Sequence, residues 1–147
     1  MSSKLADESV LEFIFEVKSM IAELNPVLTR TFKELGLTCV QADALMALER
    51  LGPVTLKELA THLVAESGHP SRLIGRLDAE GLVTRAASPQ DGRAVLITLT
   101  ARGADLAAAA RAARAPLLAE FAERFTEGRL DDATTLVREV RNQLEGH

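Results

Sequence analysis

The stretch PSRLIGRLDAEGLVTRAASPQDGRAVLITLTARG, residues 70 to 103, changes its hydrophobic period twice, and those changes decide the fold. In its first part Leu73, Ile74 and Leu77 recur at helical spacing behind Pro70, a residue tolerated in a first helical turn. Gly81 stands where a left-handed C-terminal cap is wanted, so a helix is expected over about 70–80. The runs 82–85 and 93–99 are then rich in β-branched residues and flank the turn-forming loop Ser88-Pro89-Gln90-Asp91-Gly92. A β-hairpin should directly follow the helix, and Thr100 can cap the helix after it.

Towards the N-terminus, Thr38-Cys39-Val40-Gln41 has the form of a capping box, with Leu45, Leu48 and Leu51 on one face of a helix over about 39–51. Gly52-Pro53 ends it. Thr55-Leu56-Lys57-Glu58 repeats the capping box and opens a short helix burying Leu56, Leu59, Ala60 and Leu63. The tight polar turn Glu66-Ser67-Gly68-His69 joins this helix to the one at Pro70, which is the layout of a helix-turn-helix followed by a wing.

The flanks have a different character. Over residues 7–24, Val10, Ile14, Val17, Ile21 and Leu24 form a narrow apolar seam, and Asn25-Pro26 should kink the helix or make it stop and restart. The alanine-rich stretch 104–115 meets Pro116 and continues with Leu117, Phe121 and Phe125. A last helix over about 131–145 repeats the seam with Ala133, Val137, Val140 and Leu144. Narrow seams need partners, and the simplest arrangement sets the two termini together and against a second copy. The expected dimer interface is Val10, Ile14, Val17, Ile21, Leu117, Phe121, Val137, Val140 and Leu144. The fold class is thus mainly α with a small β-hairpin: a winged helix-turn-helix core at 37–103, flanked by N- and C-terminal dimerisation helices at 1–36 and 104–147.

Composition narrows the function. The chain has 147 residues, enough for one buried core, and its 47% hydrophobic content excludes a chain disordered throughout. With five Phe, no Tyr and no Trp, aromatic platforms for stacking single-stranded bases are nearly absent. No apolar run approaches a membrane span and no signal-peptide pattern opens the chain, so a cytoplasmic location is expected. The single Cys39 excludes an intramolecular disulfide and fits a reducing compartment.

On the helix at Pro70, about 100° per residue sets Leu73, Leu77 and Ile74 on one face and Arg72, Gly75, Arg76 and Ala79 on the other. Two arginines four apart over small residues suit a major groove, where guanidinium groups reach guanine edges or phosphates. Solvated arginines, or an Arg76 to Glu80 pair, are the plain alternative, and position on the second helix of a helix-turn-helix favours DNA. His69 and Ser71 can meet a phosphate at the helix start, although His69 can equally serve as a cap. Arg93, just past the hairpin tip, suits a narrow minor groove, and Asp91 is expected to hold Arg85 or Arg93 by a charge-assisted hydrogen bond. The DNA-binding set is therefore His69, Pro70, Ser71, Arg72, Gly75, Arg76, Arg85, Gln90, Asp91 and Arg93.

The net charge of −4 opposes DNA binding, but its distribution is uneven. Residues 68–93 carry four arginines against three acidic residues, while the remainder carries 13 basic and 18 acidic ones. The excess is local and small, which implies modest, salt-sensitive affinity. No metal-ligand spacing, phosphate-binding loop or nucleophile motif is present, so neither a metal, nor a cofactor, nor an enzyme activity is expected.

The run Ser71 to Arg85, followed by Asp91 to Gly103 with its Asp-x-Arg wing and Leu-Thr-x-x-Gly helix start, resembles the MarR family of bacterial and archaeal regulators, as does the helix opening from Leu37-Thr38 through Gln41 to Leu45. Gly92 stands where many relatives have a second arginine. The resemblance implies a homodimeric transcription regulator, in most cases a repressor, that binds pseudo-palindromic double-stranded DNA and responds to a small lipophilic or phenolic effector or to oxidation. It implies an effector pocket between the helical and winged regions, with Phe13, Met20, Leu24, Met46 or Leu48 as lining. Two alternatives stand beside it. One is a winged-helix module for protein interaction without DNA binding. The other is a thiol sensor through Cys39, which sits at a helix start but has no Lys, Arg or His within four residues in sequence.

Overall fold

A computed structural model describes residues 2–64 and 69–147; the expected turn at Glu66 to Gly68 lies outside the described residues. Eight elements follow in order: α1 (Ser2–Lys33), α2 (Cys39–Leu51), α3 (Leu56–Ala60), α4 (Pro70–Ala79), β1 (Val83–Ala87), β2 (Val95–Leu99), α5 (Ala101–Arg124) and α6 (Glu127–Leu144). They form two compact units, one up to Ala113 and one from Arg114 onward.

In the first unit the local signals act where the sequence places them. Thr38 Oγ1 accepts from Gln41 N at 3.2 Å and Gln41 Oε1 accepts from Thr38 N at 3.0 Å, closing the capping box of α2. Thr55 accepts from Glu58 N and starts α3, while the reciprocal bond of the expected capping box, from Thr55 N to the Glu58 side chain, is not formed. Gly52 and Gly81, both with φ near 75°, turn the chain after α2 and after α4, a conformation that costs a β-carbon-bearing residue about 1 kcal/mol or more. β1 and β2 pair antiparallel from Val83 with Leu99 to Ala87 with Val95. Val54 bridges the other side of β2, exchanging both hydrogen bonds with Ile97 at 2.7 and 3.2 Å. The hairpin is thereby anchored midway along β2.

The core of this unit is aliphatic, as the scarcity of aromatics requires. Phe32 at the end of α1 packs with Leu45, Leu48, Leu59, Ile74, Leu77, Val83 and Ile97, and Ala107 and Ala110 of α5 complete it. Full burial of each such large side chain contributes roughly 1.5–3 kcal/mol.

Of the two outcomes expected at Asn25-Pro26, a kink or a stop and restart, the second does not occur. α1 neither stops nor restarts at Asn25-Pro26; it continues to Lys33, through Pro26. Ala22 and Pro26 are exposed, so water can take the Ala22 carbonyl that proline leaves without a donor. Nearby, Thr29 and Thr31 hydroxyls donate to the Asn25 and Val27 carbonyls at 2.9 and 2.8 Å. α5 likewise runs through Pro116, on an exposed side.

In the second unit Thr126 accepts from Arg129 N and starts α6. Phe121 and Phe125 stack with centroids 6.2 Å apart, and the Arg129 guanidinium lies 6.0 Å from the Phe125 ring. No residue of α6 is buried, although Val137 and Leu144 lie on its apolar seam.

Candidate nucleic-acid interface

α4 presents the two faces its sequence spells out. Ile74 and Leu77 are buried and Leu73 half-buried, while Arg72, Arg76 and Ala79 are exposed and Gly75 is half-buried. A β-carbon at Gly75 would meet nothing within 4 Å, so the ground between the arginines is open. Among the described residues neither guanidinium has an ion-pair or hydrogen-bond partner, and the possible Arg76 to Glu80 pair is not formed. His69 occupies the N-cap position with an extended backbone, and its side chain makes no capping hydrogen bond. Its carbonyl accepts from Arg72 N at 2.9 Å, while the exposed imidazole and the exposed Ser71 remain beside the helix start.

The wing tip is held by its own polar residues. Ser88 Oγ accepts from Gln90 N and Asp91 N, both at 3.3 Å, and Asp91 Oδ1 accepts from Arg93 N at 3.1 Å. Two further backbone bonds, Ser88 N to Ala94 O and Ala94 N to Asp91 O, close the loop. Asp91 therefore positions Arg93 through its backbone amide, and the Arg93 guanidinium projects from the tip exposed and unpaired among the described residues. The expected alternative, Asp91 holding Arg85, is not what forms. Arg85 donates from Nη2 and Nε to Asp78 Oδ2 at 2.8 and 3.1 Å.

Behind α4 and the hairpin, the start of α5 takes three consecutive carbonyls. Arg102 Nη1 donates to Glu80 O at 3.4 Å, Thr100 Oγ1 to Gly81 O at 2.7 Å and Thr100 N to Leu82 O at 3.0 Å. Thr100 Oγ1 also accepts from Gly103 N at 3.0 Å, so one hydroxyl both caps α5 and ties it to the end of α4. Gly103 is required by approach rather than by conformation. It has no positive φ, but a β-carbon there would overlap the Leu82 carbonyl oxygen and lie 2.9 Å from its carbon.

A helix with two arginines and a hairpin with one, unpartnered among the described residues, have the form in which proteins meet duplex DNA. Residues 37–103 match a family model described as a winged helix DNA-binding domain. The HTH-type transcriptional repressor Rv2887 of Mycobacterium tuberculosis is 34% identical over 121 residues, covering 80% of this chain and 86% of that protein. A solved MarR family transcription regulator superposes with a TM-score of 0.78 at 20% identity, over 99% of this chain and 97% of that one. The chain belongs to the MarR family of winged-helix transcription regulators.

Other regulators show the same likeness. The organic hydroperoxide resistance transcriptional regulator of Bacillus subtilis is 33% identical over 87 residues, 59% of this chain, and the match spans 56% of that protein's length. A MarR mutant from E. coli complexed with operator DNA superposes with a TM-score of 0.71 at 24% identity, over 86% of this chain and 92% of that one. These relatives are transcription regulators, not enzymes. Among the described residues no helix is long and apolar enough to cross a membrane.

The remaining sequence-predicted sites of this MarR-type chain are placed unevenly. Met46 and Leu48 are sealed in the core, so a ligand reaching them would have to displace packed side chains. Phe13 and Leu24 are half-buried and Met20 is exposed. Cys39 is the first residue of α2, half-buried, with Sγ 3.8 Å from Thr29 Oγ1. It lines an open groove of about 370 Å³ with Thr29, Lys33, Gly36, Leu37 and Thr38. Of the seam residues, Val10, Ile14, Ile21, Phe121, Val137 and Leu144 are exposed, and Val17, Leu117 and Val140 are half-buried.

Two features were missed by reasoning from sequence. Asp78 emerges as the partner of Arg85, although a carboxylate in the last turn of a helix faces the wrong end of the dipole and so signals a nearby cation. The clamp at Thr100 and Gly103 is the other, and the Leu-Thr-x-x-Gly spacing was its only trace.

Proposed function

We propose that the chain is a homodimeric, sequence-specific repressor that places α4 in the major groove and the wing arginine in the adjacent minor groove of a pseudo-palindromic duplex. The observation that carries this reading is that Arg72, Arg76 and Arg93 are exposed and unpaired among the described residues, while the nearby Asp78 carboxylate is engaged by Arg85. The local field is thus more positive than the net charge suggests. His69, Pro70, Ser71, Gly75 and Gln90 complete the contact surface at the start of α4, on its outer face and in the wing. Dimerisation through the seams of α1, α5 and α6 is supported by their exposed apolar residues, which would otherwise remain in water. It sets residues 1–36 and 104–147 as the dimerisation region and 37–103 as the DNA-binding domain. Repression is the recorded activity of the Rv2887 relative. Responsiveness to a small lipophilic or phenolic effector is part of this reading, with Phe13, Met20 and Leu24, none of them sealed in the core, as its candidate contacts.

Selection of bound duplexes from a random pool tests the reading. Enrichment of two half-sites about one helical turn, ~34 Å, apart is expected. Replacing Arg93 by Ala should weaken binding to the selected duplex several-fold without shifting thermal stability; no enrichment, or equal binding by the variant, refutes the corresponding part.

A second reading concerns control. A relative carries hydroperoxide resistance in its name, and the solved AbfR regulator is recorded on DNA in reduced and overoxidised forms. If Cys39 senses oxidants, peroxide releases DNA from the parent and not from Cys39→Ser; equal release from both excludes it.

A further inference from the structure

We propose that Arg85 acts on DNA binding indirectly, as a positioning residue: its ion pair with Asp78 locks the wing to the reading helix and so sets where Arg93 stands relative to Arg72 and Arg76. This rests on the DNA-binding reading above and assigns a different role to one of its arginines.

The geometry follows from strand alternation. Val83 and Arg85 are on the same face of β1, and Val83 is buried in the core beside α4. Two residues further along, that same face has run past the core, and the Arg85 side chain reaches back to Asp78 in the last turn of α4. Both of its short hydrogen bonds end on one oxygen, Asp78 Oδ2. Arg85 is the middle residue of β1, paired with Ile97 of β2, so the contact pins the hairpin halfway along its length. Beyond it the chain runs three residues to Ser88, roughly 10 Å at ~3.3 Å per residue, and then into the tip that carries Arg93. At the same level β2 is held on its other side by the backbone bridge of Val54 to Ile97, and below it the hairpin is tied by Thr100. Among the described residues no other side-chain hydrogen bond or ion pair joins α4 to the outer half of the wing.

Asp78 is poorly placed for any other purpose. It lies at the negative end of the α4 dipole and on a DNA-facing unit, where a free carboxylate would oppose both the helix and the phosphates. The pair is about half exposed, with side-chain exposures of 48% and 39%, so its effect on global stability is small. Its effect on the wing is larger because a small rotation at the pin is amplified at the tip.

The test exploits opposite signs. Removing a negative charge near DNA normally tightens binding, whereas loss of positioning loosens it. The parent, Asp78→Asn, Arg85→Ala, the double variant and the charge-swapped Asp78→Arg with Arg85→Asp are titrated against the selected duplex at several salt concentrations. The expected result is that both single variants and the double lose about three- to tenfold in affinity, equally and non-additively, with unchanged salt slope, and that the swap recovers part of it. A spin label at Gln90→Cys in a Cys39→Ser background should become more mobile in Asp78→Asn without DNA present. Asp78→Asn binding as tightly as the parent or more so, or Arg85→Ala alone flattening the salt slope by about 1 per protomer, would make Arg85 a phosphate contact and overturn the proposal. A parent that binds no duplex removes the DNA reading itself, and with it this one.

Discussion

Replacing Gly103 by Ala is the most informative single perturbation of this fold. An alanine at an ordinary helical position gains up to about 1 kcal/mol over glycine, and Gly103 has no positive φ that would penalise a side chain. Against that gain stands the Leu82 backbone. The new methyl would overlap the Leu82 carbonyl oxygen and sit 2.9 Å from its carbon and 3.3 Å from its Cα, atoms that belong to a buried residue and cannot rotate aside. α5 would have to withdraw by about an ångström. The bonds from Thr100 N to Leu82 O and from Thr100 Oγ1 to Gly81 O, at 3.0 and 2.7 Å, would then stretch. Overpacking typically costs 1–3 kcal/mol, and two weakened hydrogen bonds add roughly 0.5–1.5 kcal/mol. Subtracting the helix gain leaves a net loss of about 2 kcal/mol. For a chain of this size that corresponds to a fall in Tm of about 5–8 °C, read by circular dichroism at fixed protein concentration because an associating protein melts at a concentration-dependent temperature. An unchanged or raised Tm would show that α5 is free to withdraw and that the close approach does not constrain it.

The control for that experiment is itself a prediction: Gly75→Ala, with nothing within 4 Å of the new methyl, should stabilise α4 by roughly 0.5–1 kcal/mol in urea denaturation yet weaken binding to the selected duplex. Unchanged affinity would mean that this face does not enter the groove. Thr38→Ala should cost about 1 kcal/mol in the same assay, since it removes the acceptor for Gln41 N from the capping box of α2, and a loss below a few tenths would show the cap to be dispensable. Ile14→Glu, on the apolar seam of α1, should shift sedimentation velocity from dimer towards monomer without unfolding the winged unit, whereas a persistent dimer would exclude that seam.

Local grammar was legible along the chain and has a local cause. Thr38 with Gln41, Thr55 with Glu58, Gly81 after α4 and the β-branched runs around Ser88 to Gly92 each act over a few residues, so the elements from α2 to β2 could be read with boundaries off by up to three positions, the most at α3, which ends at Ala60 although Leu63 was expected on its face. The outward set of Arg72, Gly75 and Arg76 was legible for the same reason, because helical period alone places them opposite Ile74 and Leu77. Local rules also misled. Pro26 allowed a stop and restart that does not occur, because it lies on an exposed side where the lost hydrogen bond costs little, and that exposure is a property of the packed molecule.

What the chain could not disclose residue by residue is which polar groups meet across elements. Asp91 and Asp78 are both plausible partners for Arg85 by charge, and only the direction of β1 relative to α4 selects Asp78. Thr100 reads as a helix cap from its neighbours, but its bond to Gly81 O spans 19 residues and depends on how α5 lies against the end of α4. Hydrophobic period and capping act through the nearest turns of chain, so sequence carries them directly. Pairing across 7 to 22 residues depends on the relative placement of packed elements, and that is decided only when the core around Ile74, Leu77, Val83 and Ile97 closes.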